Sequence, residues 1–563
     1  MESFTIKRIY RAAFYILAAS IFIKCASQIP PTGGEVDKIP PTVEELYPPN
    51  GTTNYSEDYF EITFSEYVDK RSVKEAIFIS PRLENGIELD WSGTTLTVYF
   101  KDTLKENTTY NVSIGTDVKD INNNNNMAEA FNFAFSTGNK IDRGIVEGKV
   151  YDKKSTGILI FAYKKKDGDF PNPVDDKPDN ITQVGKNGKY KLLGLSNGDY
   201  RIFAIRDDFK DFVYNLEDDQ YGAPSRLITL SDEDSLVANI NFMMTREDTT
   251  AAHVYNLTMT DRYHILVEFS EFVDSSKLSA ANFYVYDSTA DRKVNAKYFY
   301  KGEAKPKNAF LVLDDSLIIE NENNLFVENL YDNFDNELTS ETTKFTASDR
   351  PDTTAPKLVK KITEYENSQV DFENAYVEFV FNDGFDFEGL KDIIKIYDLK
   401  DNAFPTEVIK NDDASFTVKS KVKLQDKSDY QIKIDLSKVV DAAGNFVDSV
   451  YTYKFSTINS LQFSGAKGKV NSEFPAKDIF VVLKNIDEKK KDYKQKVDST
   501  YQFDFERVIP GSYLIWSFFD TDSDGVYSYG KVDPFENSEE FVFYPDTLNL
   551  KARWPVGDIH INY

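Results

Sequence analysis

Cysteine occurs once in the 563 residues, at Cys25, so no disulfide can form within the chain and its stability has to come from burial and hydrogen bonding. Histidine is nearly as scarce, with only His253, His264 and His560. There is no His-Glu-x-x-His, nucleophile elbow or phosphate loop. A catalytic triad needs nucleophile, base and orienting group within hydrogen-bond reach, and three scattered histidines read instead as packing or surface residues. No catalytic residue is therefore assigned, and an enzyme is not expected. The 93 acidic residues make some carboxylate pair inevitable, but sequence spacing says nothing about the separation that glycoside hydrolysis requires.

Positive charge is also in deficit: 66 Lys and Arg leave a formal net charge of -27. Such a chain repels a phosphate backbone, which excludes nucleic acid as an expected partner and favours cations or basic protein surfaces. After residue 25 no apolar run reaches the roughly 18 residues of a membrane-spanning helix. What the chain has in abundance is aromatic side chains, 43 Phe and 34 Tyr, enough to fill packed cores and to argue against bulk disorder.

The N-terminus reads as an export signal. Lys7, Arg8 and Arg11 precede an apolar run from Ala12 to Ile23, too short to span a bilayer. Cys25 directly after it resembles the lipobox of bacterial lipoproteins, whose thiol is acylated, although Lys24 stands where that motif usually carries a small residue. The expectation is a signal peptide over 1–24, lipidation at Cys25 and a Pro/Gly-rich tether over 25–38.

Self-comparison reveals three copies of one unit. Ile62-Thr63-Phe64-Ser65-Glu66 recurs as Val267-Glu268-Phe269-Ser270-Glu271 and, more loosely, as Phe379-Val380-Phe381-Asn382-Asp383. Each is preceded by an aspartate-led linker, at Asp37, Asp248 and Asp352. Each is followed by an Asp/Asn/Gly turn beginning at Asp120, Asp332 or Asp441 and then by an alternating closing strand. Period-two alternation of aromatic and β-branched residues describes half-buried strands, and several per unit of roughly 100 residues point to antiparallel sandwiches. A second repeat relates Gly188–Ala204 to Tyr501–Trp516, each with two strands flanking a Gly-containing turn.

The Asp-x-x-Pro-Pro opening at Asp37, the strand ending Phe64-Ser65-Glu66, the Asp120-x-Asn turn and the closing Phe135-Ser136-Thr137 resemble the bacterial Ig-like domain first associated with S-layer proteins. The stretch from Cys25 to Pro41 is similar to the start of Bacteroidota Ig-like-domain lipoproteins, and the second repeat resembles the carboxypeptidase-regulatory-like sandwich, in which that hairpin is a hallmark. These resemblances imply an all-β chain of tandem antiparallel β-sandwiches. Its Ig-like modules fall at 39–138, 248–348 and 352–458, and its regulatory-like modules at 142–246 and 459–563. They imply no catalytic site.

One loop points to a metal. In Asp520-Thr521-Asp522-Ser523-Asp524-Gly525, alternating carboxylates before a glycine can converge on Ca²⁺, with Asp520, Asp522 and Asp524 as ligands and Asp533 and Glu536 as distant candidates. Lys531 occupies the position where an EF-hand would place its closing Glu, so an acidic hairpin tip without metal is the competing reading. No other cofactor is expected. Trp91, Trp516 and Trp554 are the residues available for stacking on sugar rings, against the simpler expectation that strand-borne aromatics fill cores. The run Lys489-Lys490-Lys491 reads as a solvated hairpin loop.

These features together predict a non-catalytic, outer-membrane-anchored lipoprotein, at the cell surface rather than the periplasmic face. It would serve as a structural or accessory subunit docking on an outer-membrane β-barrel complex. The alternative is a cell-surface glycan-binding or adhesion protein, with or without calcium. Replacing the one thiol tests the anchor: Cys25→Ser is expected to move the chain from the membrane to the soluble fraction and to abolish incorporation of a labelled fatty acid.

Overall fold

The computed structural model describes residues 37–487 and 491–563. The signal segment, Cys25, most of the tether and Lys489-Lys490 lie outside the described residues. The described residues divide into two compact units, a smaller one formed by 37–145, Ser155–Gly157 and Asn180–Ser196, and a larger one formed by the remainder. Nearly all regular structure is β-strand; among the described residues the only α-helix is Lys70–Ala76.

In the smaller unit, a four-stranded sheet runs Val43–Tyr47, Tyr59–Phe64, Thr95–Phe100, Ile87–Ser92, and a three-stranded sheet runs Ile77–Ser80, Thr109–Ile114, Phe131–Ser136. Alternation does what the pattern predicts. Phe60, Ile62 and Phe64 are buried with Leu96, Val98, Val112 and Phe133 in one core, while their strand neighbours face outward. The short helix is a feature that periodicity could not reveal, because seven residues hold barely two turns. It exists because the Asp69 side chain accepts from Arg71 N at 2.9 Å and because Val73 and Ala76 reach the core.

The larger unit contains two segments with the same opening. Val254–Met259, His264–Phe269, Asn308–Leu313 and Arg292–Tyr300 repeat the strand order of the first four-stranded sheet, and so do Leu358–Thr363, Tyr376–Phe381, Ser415–Ser420 and Thr406–Asp412. Even the irregularity is copied. The register of the first strand against the second slips between Val43 and Glu45, between Val254 and Asn256, and between Leu358 and Lys360. A bulge kept at one place in three copies bends the entering strand alike in each.

The 248–348 segment departs from two separate sheets. Its seven strands form one continuous sheet, because Arg292–Tyr300 pairs through its first half with Phe283–Asp287 and through its second half with Asn308–Leu313. A register shift between Ala296 and Tyr298 marks where that strand bends, and the sheet folds over a single core containing Val267, Leu311, Val285 and Val327.

The regulatory-like repeat corrects one expectation. Gln502–Val508 and Gly511–Phe519 flank a tight turn yet do not pair as a hairpin: the first bonds to Ser464–Asn471, the second to Ile479–Asn485. The chain crosses between the layers of the sandwich at Pro510, which lacks the N–H a ladder needs. Pairing is also not wholly antiparallel. Ser464–Asn471 runs parallel to the closing strand Val556–Asn562, and Val150-Tyr151 runs parallel to Phe242–Met243.

At those parallel contacts stands a short repeat, Gly148-Lys149-Val150 and Gly468-Lys469-Val470. A Cβ on Gly148 would lie 1.8 Å from the carbonyl oxygen of Ile240, and one on Gly468 would lie 2.1 Å from that of Ile559. The glycines are there because backbone touches backbone. Gly148→Ala and Gly468→Ala should therefore each force the closing strand away and cost about 1–3 kcal/mol, seen as a lowered unfolding midpoint; an unchanged midpoint would contradict this packing.

Candidate functional site

The three copies of the repeated unit share a polar clasp. Asp120, Asp332 and Asp441, all buried, accept hydrogen bonds inside their own turns from the Nδ2 of Asn125, Asn336 and Asn445 at 2.8, 2.8 and 3.0 Å. The same Asn amides also donate to the backbone oxygens of the entry linkers, at Asp37 (3.0 Å), Asp248 (2.9 Å) and Asp352 (3.4 Å). At the end of the second strand Ser65, Ser270 and Asn382 accept from the linker N–H of Thr42, His253 and Lys357. The linker Asp, the Ser-Glu pair and the Asp turn that repeat in the sequence are thus brought to one end of each module.

That convergence gathers like charges. Single oxygens of Asp37, Glu66 and Asp120 lie within 4.8 Å of one another, as do those of Asp248, Glu271 and Asp332. Desolvation and the neighbouring carboxylates push Glu66 above its usual range. Burial and a hydrogen bond with Asp248 raise Glu271 to about 7. The equivalent position in the third copy, Asp383, meets a different partner: Nε2 of His264, reaching from the preceding segment, lies 2.8 Å from its Oδ1, while Nδ1 lies 2.9 Å from Asp261 Oδ1. Burial alone would lower the imidazole pKa, but the two carboxylates overcome it and raise it to about 10. His264 is thus a cationic pin held between Asp261 and Asp383.

A second ionic junction joins the third Ig-like segment to the C-terminal module. Arg507 grips Asp371 with Nε at 2.9 Å from Oδ2 and a second bond from Nη2, and its guanidinium lies 4.3 Å from the Phe372 ring and 4.4 Å from that of Phe463. Lys491, whose side chain is still half-exposed, reaches Glu364 at 2.7 Å, so this end of the lysine run makes an ion pair with another module. The cleft beside these residues, about 520 Å³, is lined by Glu364, Asp371, Asp504 and Glu506. Its two carboxylates nearest the junction are already held by cations, an arrangement that suits a brace better than acid–base chemistry.

The C-terminal module also meets the 221–226 stretch of the larger unit. Tyr221 OH donates to Gly530 O at 2.7 Å, Ser538 N to Pro224 O at 3.1 Å and Ser538 Oγ to Ala223 O at 3.0 Å; Ser225 Oγ bonds to Glu540. Gly530 sits at φ +69°, and a Cβ there would lie 2.5 Å from Ser538 N. Only glycine lets that turn close.

The same module carries the Asp520 loop. Asp520 Oδ2 accepts from Gly525 N at 3.1 Å, Asp522 accepts from Asp524 N at 3.1 Å and from Ser528 Oγ at 3.1 Å, and Asp524 accepts from Val526 N at 2.6 Å. The structure brings Asp520 and Asp522 together with Glu539, one oxygen of each lying within 4.8 Å of the others. Asp524, Asp533 and Glu536 are not in this group, and Glu536 pairs with Lys531. Desolvation raises the Glu539 carboxyl above its ordinary range, against hydrogen bonds from Thr521 and Ser528. Glu539 follows Thr521 by 18 residues and arrives because Phe541–Phe543 pairs with Trp516–Phe518, so no linear motif could have announced it.

The tryptophans divide. Trp516 is buried against Phe518, Tyr527 and Phe543, and Trp91 is half-buried and stacks on Phe64 beneath Lys70. Trp554, 74% exposed, is the one left facing solvent.

Residues 37–137 and 352–457 match the family model of the bacterial Ig-like domain. Together with the strand order this defines a multidomain, Ig-like, nearly all-β protein. Similar solved structures include the N-terminal part of the bacterial S-layer protein SbsC (13% identity over 37% of this chain and 45% of that one, TM-score 0.17). Others are a longer form of SbsC (10%, 92% and 67%, TM-score 0.16) and the major pilin subunit BcpA of Bacillus cereus (12%, 75% and 99%, TM-score 0.14). The chain thus spans less than half of the first of these. At TM-scores this low none of them bears on assembly or role. No curated protein matches the sequence.

His264 supplies a pH-dependent test. Its pKa is raised in the folded state above its ordinary value of 6.5 to about 10, so the stability it contributes is complete below pH 6.5 and is lost as pH rises through about 10. His264→Ala leaves buried Asp383 unpaired and should cost about 3 kcal/mol or more at pH 6. The gap from wild type should shrink towards pH 10 in denaturant titrations, and a gap independent of pH would contradict a charged imidazole.

Proposed function

We propose that this chain is a non-catalytic structural or accessory lipoprotein, tethered through Cys25 to the outer membrane of a Bacteroidota-like bacterium and docking on an outer-membrane β-barrel complex at the cell surface. The observation that carries this reading is the set of ionic contacts between modules of the larger unit. His264 with Asp383, Arg507 with Asp371 and Lys491 with Glu364 each span two segments. Charged pairs of which at least one member is well buried are poor investments for a flexible string but suit a framework that must present surfaces in a fixed relation. The long sheet edges and loop tips of such a framework are the places where a partner can add contacts.

Glycan binding is less well supported, because two of the three tryptophans are engaged in packing.

The experiment is crosslinking in intact cells followed by identification of neighbours. An outer-membrane β-barrel protein recovered with the chain, and lost on extraction from cells carrying Cys25→Ser, is the expected result. Recovery of the chain alone, or with periplasmic soluble proteins only, would overturn it.

A further inference from the structure

We propose that Asp520, Asp522 and Glu539 form a binding site for a hard divalent cation, Ca²⁺, that ties the Asp520 loop to the strip of chain gripping residues 221–226. It does not rest on the docking proposal. The donor set is oxygen only, three carboxylates with one atom each inside 4.8 Å, which suits Ca²⁺ chemistry; backbone carbonyls and water complete such a shell.

The independent observation is Asp520 itself. Its side chain is 2% exposed, and Oδ1 is buried with no hydrogen-bond partner. A buried charged acceptor without a partner is strongly unfavourable, and native structures rarely leave one unexplained. Glu539, also 2% exposed, adds a second buried carboxyl beside it. Among the described residues no lysine, arginine or histidine is ion-paired with any of the three, in contrast to Asp371, Asp383 and Glu364, which each have a cation. Lys494 Nζ reaches the loop but donates to the carbonyl of Gly525, not to a carboxylate of the three. A cation is the missing partner that satisfies the Asp520 oxygen and neutralises the repulsion between the acids at once.

The site has a mechanical consequence. Glu539 lies between Ser538, which bonds to Ala223 and Pro224, and Glu540, which bonds to Ser225 and lies 3.8 Å from Arg226. Holding Glu539 therefore holds the contact with 221–226.

The test is a Ca²⁺ titration of the full chain in detergent after chelation, by calorimetry, with Asp522→Asn, Glu539→Gln and Asp524→Asn alongside wild type. Asp522 is exposed, so its variant is not at risk of misfolding, and Asp524→Asn keeps the oxygen that accepts from Val526. Because other acidic clusters can also take up ions, the readout is the difference between chains. Asp522→Asn and Glu539→Gln are expected to lose the same bound ion and with it part of the Ca²⁺-dependent rise in unfolding temperature, while Asp524→Asn retains both. Wild type and Asp522→Asn binding the same number of ions with the same affinity, or wild type binding none at millimolar Ca²⁺, would overturn the site.

Discussion

Each Ig-like segment is held at its mouth by one buried carboxylate. Asp120, Asp332 and Asp441 are taken out of water, and each is made tolerable by a backbone N–H and an asparagine amide of its own turn. Because the same amide also holds the entry linker, the first and last parts of the segment are fastened together before the strands between them are counted. The hydrophobic alternation fills the sandwich, but it is non-directional. The clasp adds direction, fixing which end the linker enters and where the register of the first strand begins.

The clasp brings acids together, and the chain answers the resulting repulsion in different ways at different places. Where Glu271 meets Asp248, burial and the neighbouring carboxylate raise its pKa to about 7. In the third copy His264 crosses from the neighbouring segment and supplies a fixed positive charge. Arg507 does the same for Asp371, with aromatic rings on its faces. The Asp520 loop carries no such protein-borne cation, which sets it apart from the braces at Asp383 and Asp371.

These charges also explain how modules become a framework. A linker of two or three residues leaves neighbours free to swing, whereas a desolvated imidazolium or guanidinium held by a carboxylate on the next segment permits one arrangement well and others poorly. The contacts of 530–540 with 221–226 extend this within the larger unit to parts of the chain more than 300 residues apart, as at Tyr221 and Gly530.

Much of the architecture was legible in the sequence. Alternation through Phe64, Phe269 and Phe381 marked strands with one buried face, and the recurring Asp, Ser-Glu and Asp-Asn positions marked the repeat, because a period of two and a capping turn are local properties written in consecutive residues. What the sequence did not contain was the partner of each group. The single bent sheet of 248–348, the pairing of His264 with Asp383 and the arrival of Glu539 beside Asp520 all depend on residues distant in the chain. Only tertiary folding decides these, since desolvation and distance, not residue type, determine whether a carboxylate is a solvated tip, a structural brace or a ligand.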